Sequence, residues 1–370
     1  MTLDTHQSRQ PSNPSLSSDT KMSSLPQYHL PDPLAQWPWP RKLSEHFAEV
    51  KPEADAWLRS FQALDAKSQR SFDLCNFSLL GSLVYPLLDK DGVRVACDLM
   101  ALFFMYDEFT DKVDGDGARL YAEMVMDAIR NPHKERPQGE PQLGEIARQF
   151  WLRAIKVSSP AAQTRFISSF SEYVFAVIDE ASDRTRGRIR GIEDYLQLTR
   201  LTAGGYPSFV AVEAGLNIPD EAMAHPALVS LCSLAAESLV LTNDMYSYNI
   251  EQASGHDGHN IVTVVMNEKG VDLDGALAWL GEYHGQVLAR FQAQRRTVPS
   301  WGRTVDSDVE AFVERLGYWI RGIDCWSLET ERYFGTKGPE VQKHRLVTLL
   351  PKVKRSDVTP MMAQPSAEMP

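Results

Sequence analysis

The chain has 370 residues, 43% of them apolar, and a formal charge of -11 at neutral pH. That is enough material for one large domain with a substantial core, or for two ordinary ones. The acidic balance supplies no basic field for a nucleic-acid backbone or an anionic membrane surface, although an acidic chain can still take an anion through metal ions.

In chain order, residues 1–26 are rich in Ser, Gln, Pro and Thr with almost nothing to bury, and 356–370 are alike. Both ends read as disordered tails around a core of 27–355. No continuous apolar stretch near the N-terminus marks a signal peptide. Within the core, apolar residues recur at spacings of three and four in "AWLRSFQAL" (56–64), "ALVSLCSLAAESLVL" (227–241) and "DVEAFVERLGYWIRGI" (308–323), and sustained alternation is hard to find. The expectation is an all-α fold. Gly, Pro and Asp interrupt the pattern at 89–92, 130–142, 217–226 and 253–260, which predicts ten to twelve helices in one bundle-like domain. The longest apolar run, 99–106, is too short to span a membrane. Cys75, Cys97, Cys232 and Cys325 are scattered among apolar neighbours, as buried thiols of a reducing compartment would be, and a cytoplasmic location is expected.

Two stretches carry chemistry. In "LFFMYDEFTDKVDGDG" (102–117), a helix places Asp107 and Asp111 on one stripe with Glu108 beside the first, and "DGDG" is read as its end. Carboxylates there oppose the helix dipole, which costs about 0.3–1 kcal/mol each unless a cation is present. Phe103 and Phe104 lie one turn back, so the stripe is aromatic below and acidic above. In "TNDMYSYNIEQ" (242–252), Asn243, Ser247 and Glu251 are four apart, with Leu239 one turn before Asn243. Oxygen donors of this kind suit a hard divalent cation, and Mg²⁺ shares its sphere with waters and substrate phosphates. No EF-hand loop, Walker A sequence or G-x-G-x-x-G is present. Magnesium carrying a diphosphate is the reading left.

At these residues the sequence resembles class I terpene synthases, most closely the sesquiterpene synthases of basidiomycete fungi. The D(D/E)xxD motif falls on Asp107, Glu108 and Asp111, and the N-D-x-x-S-x-x-x-E motif on Asn243, Asp244, Ser247 and Glu251. The resemblance extends over about 27–355 and includes "WPWPR" (37–41) and "DGHNIVTVVM" (257–266). It implies a single-domain helical bundle around a central apolar cavity, three Mg²⁺ ions, and farnesyl diphosphate as substrate. By the same resemblance "LQLTRLTAGGYPSF" (196–209) holds the diphosphate-sensing arginine, mapped onto Arg200, with a helix break at Gly204 and Gly205, and "CWSLETERYF" (325–334) holds an Arg-Tyr pair at Arg332 and Tyr333. Thr199 stands where many relatives have a second arginine, and Ala203 where the linker is often acidic.

The expected chemistry is ionisation of the diphosphate followed by cyclisation of the carbocation; the resemblance includes relatives that make a humulyl-type 1,11-closure toward protoilludene- or pentalenene-like skeletons, and that is one route it implies. Asp107, with Glu108 or Asp111, would hold two ions, and Asn243, Ser247 and Glu251 the third; Arg200, Arg332 and Tyr333 would bind the diphosphate. Phe103 and Phe104 are placed to face the cation, and Trp326, seven residues before Tyr333, is expected on the same helical face. His259 is a candidate lid residue. The alternatives are an isoprenyl diphosphate synthase, which the Asn/Ser/Glu motif disfavours, and a non-catalytic helical metal-binding protein. No nucleic-acid partner and no stable membrane insertion are expected, and the chain is expected to be a monomer or homodimer.

Overall fold

The computed structural model describes residues 25–352, so nearly all of both expected tails lies outside it. Sixteen α-helices occur among the described residues: α1 (Phe47–Ser60), α2 (Ala66–Cys75), α3 (Phe77–Val84), α4 (Lys90–Thr110), α5 (Gly115–Arg130), α6 (Gln142–Val157), α7 (Pro160–Arg186), α8 (Ile192–Thr202), α9 (Gly205–Ala211), α10 (Asp220–Met223), α11 (Pro226–Ser254), α12 (Ile261–Lys269), α13 (Leu273–Arg295), α14 (Arg303–Glu329), α15 (Glu331–Phe334) and α16 (Gly338–His344). The expected ten to twelve match the helices of eight residues or more and miss α9, α10, α15 and α16. The fold is all-α but for a two-stranded ribbon in which β1 (Gln27–His29) pairs antiparallel with β2 (Leu346–Thr348).

The boundaries follow capping chemistry. Asp65, Asp89, Asp114, Ser159, Asn260 and Asp272 each use a side-chain oxygen to accept an otherwise unpaired amide at a helix start. Left-handed Gly187, Gly255 and Gly270 close α7, α11 and α12. Two of the predicted breaks are therefore beginnings. Asp89 caps α4, which already contains Asp91 and Gly92, and Asp114 caps α5, so "DGDG" opens a helix; α4 itself stops at Thr110.

Helix α11 packs against α13, α14, α8 and α9, which is why its sequence is apolar on nearly every side. It is the one described helix long and apolar enough to cross a membrane, and 67% of that apolar window is buried inside the bundle. Helix α4 is enclosed by α1, α3, α5 and α6. The "WPWPR" segment is seated on α14: Trp37 Nε1 donates to Gly317 O at 3.0 Å, and an added Cβ at Gly317 would fall 2.1 Å from the Trp39 ring.

Candidate active site

The C-terminal turns of α4 carry Asp107, Glu108 and Asp111 to one end of the bundle, and α7 lies against them. Tyr173 of α7 donates to Asp107 Oδ1 at 3.3 Å, and Arg184 of α7 donates to Asp111 Oδ1 at 3.1 Å. Glu108 turns aside to Lys112, one turn on, at 2.5 Å. Burial, with the Asp111 and Glu180 carboxylates nearby, pushes the Asp107 carboxyl up to about 8.

On α11, Asn243, Ser247 and Glu251 form the expected stripe. Asn260, at the start of α12, gathers it: its Nδ2 donates to Glu251 Oε2 at 3.0 Å, to Ser247 Oγ at 3.3 Å and to the Asp244 carbonyl at 2.9 Å. Asp244 points away from the stripe. Its carboxylate accepts from Tyr195 OH at 2.5 Å and from the Ile261 amide at 2.8 Å, so it ties α8 and α12 to the ligand-bearing helix. Burial, with Glu251 next in importance, pushes Asp244 up to about 8 as well.

The short helix α15 joins the two acidic ends. Tyr333 OH accepts from Asn243 Nδ2 at 2.8 Å, and the Arg332 charge lowers both the Asp107 and the Glu251 carboxyls against the upward push of burial. The Arg332 guanidinium carbon lies 4.5 Å from the Phe104 centroid, 5.3 Å from Tyr333 and 5.9 Å from Trp326. Phe104 is also stacked on Phe77 at 3.9 Å. Phe104 is thus a platform for Arg332. Phe103 stacks on Phe170 at 6.1 Å and meets the Tyr173 ring edge-on at 5.2 Å.

Trp326 reaches the same cluster by a different path from the one expected. Helix α14 ends at Glu329 and Thr330 is extended, so Trp326 and Tyr333 share no helical face; their rings nevertheless meet edge-on at 5.9 Å. Trp326 is fully buried, its Nε1 donating to Cys75 O at 2.7 Å.

Arg200 departs furthest from expectation. Its guanidinium pairs at 2.9 Å with Glu237 of α11, whose other oxygen takes Tyr283 OH and Arg290 of α13. The pairs Tyr195–Asp244 and Arg200–Glu237 set α8 antiparallel to α11, which puts Arg200 about 10 Å along α11 from Asp244. The partner Arg200 has here is the buried Glu237 carboxylate. The helix break beside Arg200 is as expected: Gly204 has φ +69° between α8 and α9, and a Cβ there would stand 3.2 Å from the Phe103 ring.

Residues that sequence reasoning missed are Tyr173, Glu180, Arg184, Tyr195 and Asn260. Glu180 raises both Asp107 and Asp244, and His259 Nε2 lies 3.4 Å from its carboxylate. Glu180 follows Tyr173 by seven residues on one face of α7, a spacing that could have singled it out. Asn260 carried a legible N-cap signal, which accounts for its Oδ1 accepting from Val262 N but not for the work of its amide hydrogens.

The donors fit a divalent cation. They are oxygen throughout, and the upward shift of Asp107 is that of a buried carboxylate short of positive charge. Among the described residues no three His, Cys, Asp or Glu side chains converge closely enough to hold a metal alone, so an ion bound here would need further oxygen donors, as Mg²⁺ sites usually have in water and substrate phosphates.

Comparison with known proteins agrees. Residues 98–290 match the family described as terpene synthase family 2, C-terminal metal binding. A Δ(6)-protoilludene synthase of Armillaria gallica is 47% identical over 91% of this chain and 98% of its own. Sesquiterpene synthase 14 of Postia placenta is 46% identical over 90% and 95%. Among solved structures, a cucumene synthase variant superposes with a TM-score of 0.70 at 23% identity over 79% of this chain and 99% of its own, and an α-eudesmol synthase does so with 0.70 at 22%. The fold is that of the class I terpene synthases. The chain belongs to terpene synthase family 2, in the company of the sesquiterpene synthases of basidiomycete fungi.

Proposed function

We propose that this enzyme binds farnesyl diphosphate with three Mg²⁺ ions, releases diphosphate and cyclises the C15 cation by 1,11-closure to a protoilludene-type hydrocarbon. The observation that carries the reading is the Arg332-Tyr333 step: Tyr333 is bonded to Asn243 while Arg332 acts on both Asp107 and Glu251. One turn of chain thereby faces both acidic helix ends. Protoilludene synthases among relatives at 43–47% identity support the product class.

Asp107, with Asp111 or Glu108, would hold two ions, and Asn243, Ser247 and Glu251 the third. When bound, such ions neutralise the diphosphate as its carbon–oxygen bond breaks. Arg332 offers guanidinium hydrogens to the same oxygens, and Tyr333 a hydroxyl hydrogen, in a setting where aromatic side chains exclude water. Arg200 would reach the diphosphate only after leaving Glu237. Phe103, at the α4 wall beside Gly204, would face the isoprenoid chain. The four cysteines are free and three are buried, which supports a reducing compartment and the cytoplasm.

The test is incubation of purified enzyme with Mg²⁺ and farnesyl diphosphate, then gas chromatography of a hexane extract. A tricyclic C15 hydrocarbon is expected, and none in excess chelator. Undiminished turnover in chelator would overturn the metal assignment; a linear prenyl diphosphate product would overturn the cyclase assignment.

A further inference from the structure

The ligand stripe of α11 leaves other faces of the helix free, and the C-terminal end of the described chain is bonded there. At about 100° per residue, Asn249 and Gln252 project roughly opposite to Asn243, Ser247 and Glu251, and Tyr246 lies on the flank between the two faces. All three are buried. Asn249 reads two backbone groups at once: its Nδ2 donates to Thr348 O at 3.0 Å, and its Oδ1 accepts from Leu350 N at 2.9 Å. Gln252 Nε2 donates to Leu350 O at 2.8 Å. Tyr246 OH accepts from Arg345 at 3.0 Å and donates to Asp324 of α14 at 2.6 Å.

The segment so gripped is itself anchored to the other end of the described chain. The ribbon pairs Gln27 with Thr348, Tyr28 with Val347 and His29 with Leu346. It is extended by Leu30 N to Arg345 O and by Leu349 N to Pro26 O, both 2.8 Å, and by an Arg345–Asp32 ion pair at 2.9 Å.

Apolar packing is non-directional, and α11 is surrounded by it, so packing alone sets the helix's rotation and height only loosely. Side-chain amides bonded to fixed backbone groups are directional and costly to leave unpaired. We propose that the paired segments 26–30 and 345–350 are a brace that fixes the rotation and height of α11. Tyr246, Asn249 and Gln252 are then positioning residues, which act through the helix on Asn243, Ser247 and Glu251. This rests on the reading of that stripe as metal-binding.

The experiment uses the full chain with Asn249→Leu and, separately, Gln252→Met, and follows initial rate against Mg²⁺ concentration at saturating farnesyl diphosphate. The control is Ser238→Ala, which removes a buried hydrogen bond to His284 elsewhere on α11. The brace predicts that half-saturating Mg²⁺ rises about ten-fold in Asn249→Leu, the loss typical when a partner that orients a metal ligand is removed. The rate at saturating Mg²⁺ should stay within about two-fold, and the control should lose melting temperature with Mg²⁺ dependence unchanged. If Asn249→Leu does not fold, Gln252→Met decides by the same readout. Folded variants that keep the wild-type Mg²⁺ dependence overturn the brace alone. A wild type indifferent to Mg²⁺ overturns the metal reading as well.

Discussion

The two arginines that the sequence assigns to the diphosphate sit in opposite surroundings. Arg200 is held by Glu237, itself buried and shared with Tyr283 and Arg290. Arg332 rests on the rings of Phe104, Trp326 and Tyr333; among the described residues no carboxylate pairs with it, and its Nε has no hydrogen-bond partner. Arg332 donates to the Cys75 sulfur at 3.6 Å, a weak acceptor that an anion can displace, whereas an arginine held by a carboxylate must first give up a charged partner. On the proposed reading, Arg332 needs no such exchange in this conformation and Arg200 does.

The sharpest way to break that contrast is to remove each side chain in turn. Arg332→Ala should lower the rate of diphosphate release by about 10³-fold in single-turnover assays, the range for loss of one preorganised charged donor, with the melting temperature nearly unchanged. Arg200→Ala should show a smaller loss of rate, about ten- to a hundred-fold, together with a lower melting temperature, because Glu237 is left buried with one cation fewer. Equal rate losses with no change in melting would erase the distinction. Phe104→Leu removes the platform and leaves the charge. A cation–π contact of about 1–2 kcal/mol corresponds to roughly five- to thirty-fold in kcat/KM. Steady-state kinetics with unchanged product identity would separate this role from one of contact with the carbocation.

The smallest effect lies away from both arginines. His284 is buried, 2.8 Å from Ser238 Oγ, and burial pushes its imidazole down to about 3. The unfolded chain takes up this proton below about 6.5, while the folded chain does not until near 3. This contribution to stability is therefore whole above about pH 6.5 and is lost as pH falls toward 3, by about 1.4 kcal/mol per pH unit. His284→Gln should flatten the acid side of a plot of melting temperature against pH.

What the sequence could show, and what it could not, follows from how far each feature depends on distant chain. The stripes 103/107/111 and 243/247/251 were legible because helical periodicity alone puts them on one face. Asp114 was misread as part of a stop because an Asp before glycine can end one helix or cap the next, and only the amide of Gly117 decides which. The break at Thr330 has no Gly or Pro to announce it, so α14 and α15 read as one helix. The partners of the ligands were invisible for a simpler reason: Tyr173, Glu180 and Tyr195 come from helices that meet the motifs only after folding. Arg200 was placed correctly beside its helix break, but nothing local states that Glu237 will claim it.

Gly204 couples two parts of the molecule that a diagram of helices would keep separate. Its left-handed backbone makes the corner between α8 and α9, and its bare Cα is what lets the Phe103 ring lie against that corner. A shift of the corner toward α4 would therefore press on the ring. Changes in how α8 leans on α11 are thus passed to the α4 wall at Phe103, distant in the sequence from the residues that made them.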